Sequence, residues 1–333
     1  MSDKIRWGIL STANINDALI DPIRWASRSE LAAVASRSQA KAEAYAKEKG
    51  IPKAHGSYEA LLADPGIDVV YISLPNTLHC EWTVKAAEAG KHVLCEKPVT
   101  PTLAELDEVE AAARANNVTI FEAFMYLHHP QTLKVKEMIQ SGQLGDLQLI
   151  NSWFAYYLPP EDSDNIRLAP DLAGGSLWDV GVYPNSLAIV MAQAGAPVEV
   201  WATQIKGETG IDVSMVAQLK FANGVVAQIS SGFRSPFREG VQIVGSDGRL
   251  RINEPWKPHQ SGQGSRIAFV SRADVEETIE FLHSDPYQHE VEAMEACVLD
   301  GAEPVVPLSL SRDFLRSVLA IYKSADTGQP VKP

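Results

Sequence analysis

Residues 1–125 alternate short apolar runs with helical stretches, and no other feature of the chain narrows its possible folds as far. The runs 5–10, 31–35, 69–74, 92–95 and 118–121 read as strands. Between them, "SQAKAEAYAKEKG" ends at Gly50 with Pro52 just beyond, and "HCEWTVKAAEAG" ends at Gly90. Such alternation needs right-handed crossovers and predicts a parallel sheet. After residue 146 the texture changes, and strand-like runs follow one another at 147–158, 198–206, 213–221, 225–231, 240–244 and 266–270. "ANG" at 222–224 and "SDG" at 246–248 read as hairpin turns. One helix, about 176–194, enters this region early, and two more, about 286–299 and 311–325, close the chain. No internal repeat is visible, and "KPHQSGQGSR" at 257–266 is the most loop-like stretch.

The expected fold is therefore an α/β dinucleotide-binding domain of Rossmann type over 1–125, followed by an α+β domain over 126–333 on an open, mostly antiparallel sheet. The second domain is expected to bind substrate and to oligomerise, with the last helices available to pack back on the first. With 333 residues, 45% of them apolar, the chain is long enough for two cores. In "LINSWFAYYL" (149–158) both alternate faces are apolar or aromatic. A sheet with one wet face would alternate more cleanly. Helices can cover one face; a second subunit, as a dimer or tetramer, or the chain's own helices can cover the other.

A net charge of −13 argues against a nucleic-acid or anionic-membrane surface. No apolar run approaches the roughly 18 residues of a membrane span. "MSDKIRW" lacks the apolar core of a signal peptide. Cys80, Cys95 and Cys297 form no C-x-x-C. Reduced thiols and a cytoplasmic location are expected.

The first strand runs into "STANINDA", where a dinucleotide fold carries its G-x-G-x-x-G turn. The three fingerprint positions hold Ser11, Ala13 and Asn16. Serine and alanine are the next smallest residues, while Asn16 is the larger departure. A phosphate-binding turn formed by Ser11, Thr12, Ala13, Asn14 and Ile15 and a plain strand–helix connection both fit. The second strand ends in Ser36-Arg37-Ser38, with Lys41 in the next turn, where an NAD site carries an acidic residue for the ribose hydroxyls. A carboxylate would repel a 2′-phosphate, whereas Arg37, hydroxyls and a helix N-terminus would bind it. If a dinucleotide binds, NADP(H) is favoured; otherwise Arg37 and Lys41 are solvated charges.

Two more strand ends carry polar groups at the carboxyl edge of the sheet, where ligands bind. One holds Leu74, Pro75 and Asn76, with His79 opening a helix. Asn76 can equally be a turn or cap residue. The other holds Glu96-Lys97-Pro98, in which Pro98 stiffens the chain and is open to a cis bond. Lys97 can donate to a substrate hydroxyl or tune a neighbour's pKa. In "AGGSLWDVGVYPNSLAI" (173–189), Gly174-Gly175 reads as a flexible turn before an apolar helix. Asp179 and Tyr183 are four apart and share a face, with Gly181 leaving room between them. A carboxylate and a phenol aimed into a cleft can bind a sugar hydroxyl and exchange its proton. The alternative is a capping Asp179 and a core Tyr183. No nucleophile elbow, Walker loop or zinc-ligand spacing is present, and no metal is expected.

These pieces in this order resemble the glucose–fructose oxidoreductase, inositol dehydrogenase and MocA family. The likeness runs nearly end to end, through "DPYQHEVEAM" and "YKSADTGQPV". "RWGILSTANI" looks like the branch of NADP-linked aldose and dihydrodiol dehydrogenases, in which Ser-x-Ala often replaces the glycines. "FMYLHHPQ" with "DVGVYP" is also similar to the sugar 3-ketoreductases of deoxysugar pathways. Aldose dehydrogenases of the branch often carry Arg where this chain has Leu127. The resemblance implies NADP(H) as cofactor, Lys97 as the catalytic lysine and Tyr183 as the group that exchanges a proton with substrate. It places Asp179 toward the substrate together with Tyr126 and His129. It puts Ser11–Ile15, Ser36, Arg37, Lys41, Leu74, Pro75, Asn76, His79, Glu96 and Lys97 in the cofactor shell, with Arg167 toward the nicotinamide half. The implied activity is hydride transfer at an aldose C1. The alternatives are a 3-keto-sugar reductase, a dihydrodiol dehydrogenase, an aldose–aldose oxidoreductase with retained NADP, or a nucleotide-binding regulator. Because Lys97 and Tyr183 fall in different domains, the site is expected in a cleft between them.

Overall fold

The computed structural model of the chain describes residues 4–162, 165–259 and 264–333. Strands β1 (Ile5–Leu10), β2 (Ser29–Ala35), β3 (Lys53–His55), β4 (Val69–Ile72), β5 (His92–Glu96) and β6 (Ile120–Ala123) form the first sheet. Helices α1 (Asp17–Trp25), α2 (Gln39–Lys49), α3 (Tyr58–Leu62), α4 (His79–Glu88) and α5 (Leu103–Asn116) connect them in turn. Every pairing is parallel, in the order β3-β2-β1-β4-β5-β6. The order reverses between β1 and β4, the switch point at which such sheets bind ligands beyond their carboxyl ends. Capping follows the sequence closely. Ser38 accepts the Lys41 N–H at the start of α2, and Gly50 closes that helix in the left-handed region. Thr102 Oγ1 accepts the Glu105 N–H at the start of α5 and donates its own proton to the Glu105 carboxylate.

The chain continues with α6 (Pro130–Gln140), β7 (Leu147–Tyr157), α7 (Val182–Ala192), β8 (Glu199–Lys206), β9 (Asp212–Lys220), β10 (Val226–Gly232), β11 (Arg234–Gly245), β12 (Gly248–Ile252), β13 (Ser265–Ser271) and β14 (Glu276–Phe281). It closes with α8 (Pro286–Asp300) and α9 (Leu308–Thr327). The second sheet has the order β14-β13-β12-β11-β7-β10-β9-β8. Only β7 and β10 pair in parallel; the other neighbours are antiparallel. The turns at 222–224 and 246–248 join β9 to β10 and β11 to β12 as hairpins. Within the expected loop 257–266, residues 260–263 lie outside the described residues, and β13 already begins at Ser265.

Two compact units emerge. The first runs to His128, rather than to residue 125, and also takes in Asp285–Ser311. Of the last helices, α8 belongs to it. Val291, Met294 and Cys297 join Ile5, Ile9, Leu19 and Val69 in one apolar cluster. The Arg28 N–H donates to Glu295 (3.0 Å), and the Arg28 guanidinium pairs with Asp300 (2.8 Å). The second unit comprises His129–Ser284 and Arg312–Pro333, and so holds the body of α9.

In the second unit, α7 covers one face of the sheet, and the Ser152 hydroxyl donates to Pro184 O (3.3 Å). The opposite face carries exposed apolar side chains among polar ones. Trp153, Ser230, Val216 and Thr203 lie in one cross-strand row, and Trp201 (47%), Ile205 (65%) and Val216 (46%) are exposed. Among the described residues, α7 thus covers one of the two faces read from 149–158, and these exposed side chains of the other lie on β8 and β9. Cys80, Cys95 and Cys297 are buried and free. Among the described residues, no helix is long and apolar enough to cross a membrane.

Candidate active site

The first unit gathers its expected residues at the carboxyl ends of β1, β2, β4 and β5. Ser11 has φ 130°, a conformation that glycine adopts freely and other residues seldom do. A relay of side chains holds it there. The Ala13 N–H donates to Ser11 Oγ (3.1 Å), which lies 2.8 Å from Ser73 Oγ. Ser73 Oγ donates to Asn16 Oδ1 (2.6 Å), and Asn16 Nδ2 returns to Ser11 O (3.1 Å). Asn16 is fully buried. It is the brace of a turn that keeps the glycine geometry without the glycine. Thr12, Ala13 and Ile15 are half-buried and Asn14 is exposed. The short 3-10 turn Asn14–Asn16 carries no side-chain cap, which leaves its amino end open toward an anion.

Ser36 is buried at the end of β2, while Arg37 and Lys41 stand exposed beside it. No carboxylate follows β2 before Glu43. Leu74 is buried, and Pro75 and Asn76 are half-buried. His79 differs from its expected role in the cofactor shell. It is fully buried, and its Nδ1 and Nε2 lie 2.7 Å from Pro98 O and 2.8 Å from Leu74 O. It ties the end of β4 to the Glu-Lys-Pro corner, and burial lowers its pKa.

The Lys97-Pro98 peptide is cis. Glu96 accepts the Tyr71 hydroxyl (2.6 Å) on one oxygen and the Lys97 N–H (3.3 Å) on the other. Burial keeps the Tyr71 phenol protonated, well above the usual tyrosine range. Behind this corner lies Glu122, which sequence reasoning did not single out. It is 3% exposed and accepts the Val99 N–H (3.0 Å). Burial pushes its carboxyl up to about 7, against the pull of the Ser311 hydroxyl, the Val99 N–H and the Lys97 charge. Tyr126, expected near substrate, is fully buried with its ring edge-on to Phe124 at 6.2 Å. It offers no surface to a ligand in this conformation.

The second unit holds Asp179, Tyr183, Arg167 and His129. The segment Leu177–Gly181 is a turn of π-helix that leads into α7, not the plain α-helix expected from the spacing. Such turns recur at functional sites. Asp179 Oδ2 accepts both the Tyr156 hydroxyl (2.8 Å) and Arg167 Nε (2.9 Å). Arg167 thus meets Asp179 directly, and that carboxylate raises the guanidinium pKa. Burial, and then Asp179, raise the Tyr156 phenol. Tyr183 is 7% exposed and packs against Phe154 at 5.6 Å and Trp256 at 5.8 Å between ring centroids. A hydroxyl approaching Asp179 would meet a carboxylate already oriented by Tyr156 and Arg167.

The glycines here serve close contact, and Gly175 a positive φ as well. A Cβ on Gly181 would meet Leu177 at 2.7 Å and Ser231 at 2.8 Å, so the space expected between Asp179 and Tyr183 is taken by the packing of the turn on β10. Gly175 has φ 127° and lies where a Cβ would run into Asp212 and Tyr322. His129 is fully buried, and its Nδ1 accepts the Gln131 N–H (3.1 Å) as the N-cap of α6. Tyr156 and Trp256 were missed from sequence. Period-two counting along β7 from Ser152 would have put Tyr156 on the face that meets α7. Trp256, outside any strand, carried no such signal. Among the described residues, no group of three or more His, Cys, Asp or Glu side chains could hold a metal ion.

Residues 5–124 match the oxidoreductase family domain with an NAD-binding Rossmann fold, and residues 132–251 match the GFO/IDH/MocA C-terminal domain. A D-xylose 1-dehydrogenase (NADP(+)) of Haloferax volcanii is 41% identical, over 98% of this chain and 99% of its own. A dTDP-3,4-didehydro-2,6-dideoxy-α-D-glucose 3-reductase of Actinomadura kijaniata is 32% identical, over 91% of this chain and 90% of its own. The crystal structure of an aldose–aldose oxidoreductase of Caulobacter crescentus with glycerol superposes with a TM-score of 0.89 at 25% identity, covering 99% of this chain and 100% of that one. The two domain matches and the end-to-end likeness make this chain, with its parallel switch-point sheet, a member of the Gfo/Idh/MocA family of oxidoreductases.

Proposed function

We propose that the protein is an NADP(H)-dependent aldose dehydrogenase that oxidises the sugar at C1 to the lactone. The observation that carries this reading is the 41% identity over the whole chain with an NADP-linked xylose dehydrogenase. The residues fit the cofactor. Ser11 keeps the glycine conformation of the phosphate turn, the 3-10 turn beyond it is uncapped, and β2 ends in exposed Arg37 instead of a carboxylate. When bound, NADP(H) would supply the hydride chemistry, and Ser11, Arg37 and the end of β4 would hold it. The chain's task is to hold the sugar and move its proton. Tyr183 takes the hydroxyl proton as the carbonyl forms. A Lys97 ammonium brought to the same hydroxyl would favour the phenolate, and Asp179 orients a neighbouring hydroxyl. Arg167 fixes Asp179.

The test is steady-state turnover with NADP and NAD over an aldose panel, set beside a dTDP-3-keto sugar and a trans-dihydrodiol. Aldose oxidation with NADP should dominate; reduction of the keto sugar alone would replace this reading with the 3-reductase one. NADP should bind at least tenfold more tightly than NAD, about 1.4 kcal/mol. Arg37→Ala should remove most of that difference, and equal wild-type affinities for the two cofactors would count against the assignment.

We further propose that the open face of the second sheet, with Trp153, Trp201 and Val216 in adjoining rows, pairs with a second copy of the chain. Exposed apolar surface of this kind marks an interface. Sedimentation at micromolar concentration should show a dimer or tetramer, and a monomer alone would exclude the pairing.

A further inference from the structure

Both ends of the Leu177–Gly181 turn are pinned by residues that the proposed reaction does not use. Asp212, at the first position of β9, is 2% exposed. Its Oδ2 accepts the Ser176 hydroxyl (2.6 Å) and the Leu177 N–H (2.8 Å), and its Oδ1 accepts the Tyr322 hydroxyl (2.7 Å) from α9. Ser176 Oγ also lies 3.0 Å from Ser231 Oγ on β10. Gly175 fits against Asp212 and Tyr322 with no room for a Cβ. Asp212 thus caps the turn from a distant strand, in the place where a local N-cap side chain would serve. Ser176 itself makes no side-chain cap. At the other end, Asn185 Nδ2 donates to Phe314 O (3.1 Å) and Asn185 Oδ1 accepts the Ser317 hydroxyl (2.6 Å).

A π-turn holds one residue more than the α-turn it replaces and is rare because the α-form packs its backbone better. It lasts where both ends are fixed so that the extra residue has nowhere to go. We propose that Asp212 and Tyr322 are positioning residues for catalysis: by clamping Ser176 and Leu177 they trap the π-turn and so set the offset between Asp179 and Tyr183. This rests on Tyr183 as the proton-transfer group. Without the clamp the turn relaxes toward α-helix, and Asp179 rotates relative to Tyr183 and to its partners Tyr156 and Arg167. The cost falls on the aligned reacting state and leaves cofactor binding, which uses other residues, in place.

The test compares wild type with Tyr322→Phe, Asp212→Asn, Asp212→Ala and Tyr183→Phe, using NADP and the aldose that the wild type oxidises fastest. Tyr322→Phe keeps the ring against Trp178. Asp212→Asn keeps one oxygen for Ser176 and Leu177 while its amide faces the Tyr322 oxygen, so it should retain most of the turnover. Asp212→Ala should lower kcat by at least about tenfold, as loss of alignment does, with KM and NADP affinity changed little. Tyr322→Phe should fall between the two. Hydrogen exchange supplies a readout apart from activity: amides 176–183 should lose protection in Tyr322→Phe and Asp212→Ala, while those of β7 keep theirs. Unchanged kcat in both variants, unchanged protection of 176–183, or a loss of melting temperature with full turnover per folded molecule would each overturn the clamp. If Tyr183→Phe is inactive while the Asp212 and Tyr322 variants are fully active, the clamp alone is wrong. If Tyr183→Phe is fully active, the proton-transfer reading fails and takes the clamp with it.

Discussion

Tyr183→Phe is expected to reduce turnover by ~10²–10⁴, the range for loss of a positioned general acid or base. The change leaves the ring in place against Phe154 and Trp256 and removes only the exchangeable proton. Melting temperature and NADP affinity should therefore stay near wild type. A free phenol, with a pKa of about 10, is a poor base at neutral pH. A nearby ammonium would bring it down, each unit being worth about 1.4 kcal/mol. Lys97→Ala should accordingly lower turnover as well and move the alkaline limb of the pH profile. Melting and turnover need to be measured on the same preparations. A purely structural Tyr183 would lose stability and keep activity per folded molecule. A well-folded Tyr183→Phe that turns over at the wild-type rate would remove the phenol from the mechanism.

Glu122→Gln should change how stability depends on pH. The buried carboxyl titrates at about 7 in the folded protein, against an ordinary 4.5. Below about pH 4.5 the group is protonated in both folded and unfolded chains, and its titration costs nothing. As pH rises from there to about 7, the unfolded chain releases the proton while the folded chain retains it, so stability falls. The full cost, roughly 3 kcal/mol at about 1.4 kcal/mol per unit, is reached above that. Glutamine still offers an oxygen to the Val99 N–H and has no proton to lose. Urea unfolding of both proteins at pH 5 and pH 8 should show the variant gaining on wild type at the higher pH by an amount of that order. Groups common to both proteins cancel in the comparison. An equal response of the two to pH would show that Glu122 titrates as an ordinary carboxyl.

The parallel sheet and the helix ends were legible because local chemistry specifies them. Gly50 closes α2 where the sequence placed its end, and continuous apolar runs mark strands buried on both faces. Strand β3 was not legible, being three residues with half-exposed side chains. Strand β14, "EETIEF", hides among its charges, which suits an edge strand. Strand β12 lies directly after the "SDG" turn and needed only to be counted forward. In the site, residue types were readable and their geometry was not. No side chain announces the φ of Ser11, because the relay that permits it reaches from β1 to Ser73, 62 positions on. The π-turn has no composition of its own; its partners Asp212 and Tyr322 lie more than 30 and 140 positions beyond it in sequence. His79, Tyr126 and His129 look like ligands in a one-dimensional reading. Their burial, and the backbone partners of the two histidines, show in three dimensions alone.

The return of α8 to the first unit bears on the order in which the protein can be made. When residue 128 leaves the ribosome, the parallel sheet is synthesised but its apolar cluster still lacks Val291, Met294 and Cys297, which are about 160–170 residues away. At bacterial or eukaryotic elongation rates of about 5–20 residues per second, that is a wait of roughly 10–30 seconds. Throughout it the nascent nucleotide unit shows an unfinished apolar face while residues 129–284 of the second unit are threaded out behind it. The N-terminal unit is thus the first to begin folding and among the last to finish. Release of the chain before residue 300 should leave it a client for chaperones and proteases rather than a free-standing domain.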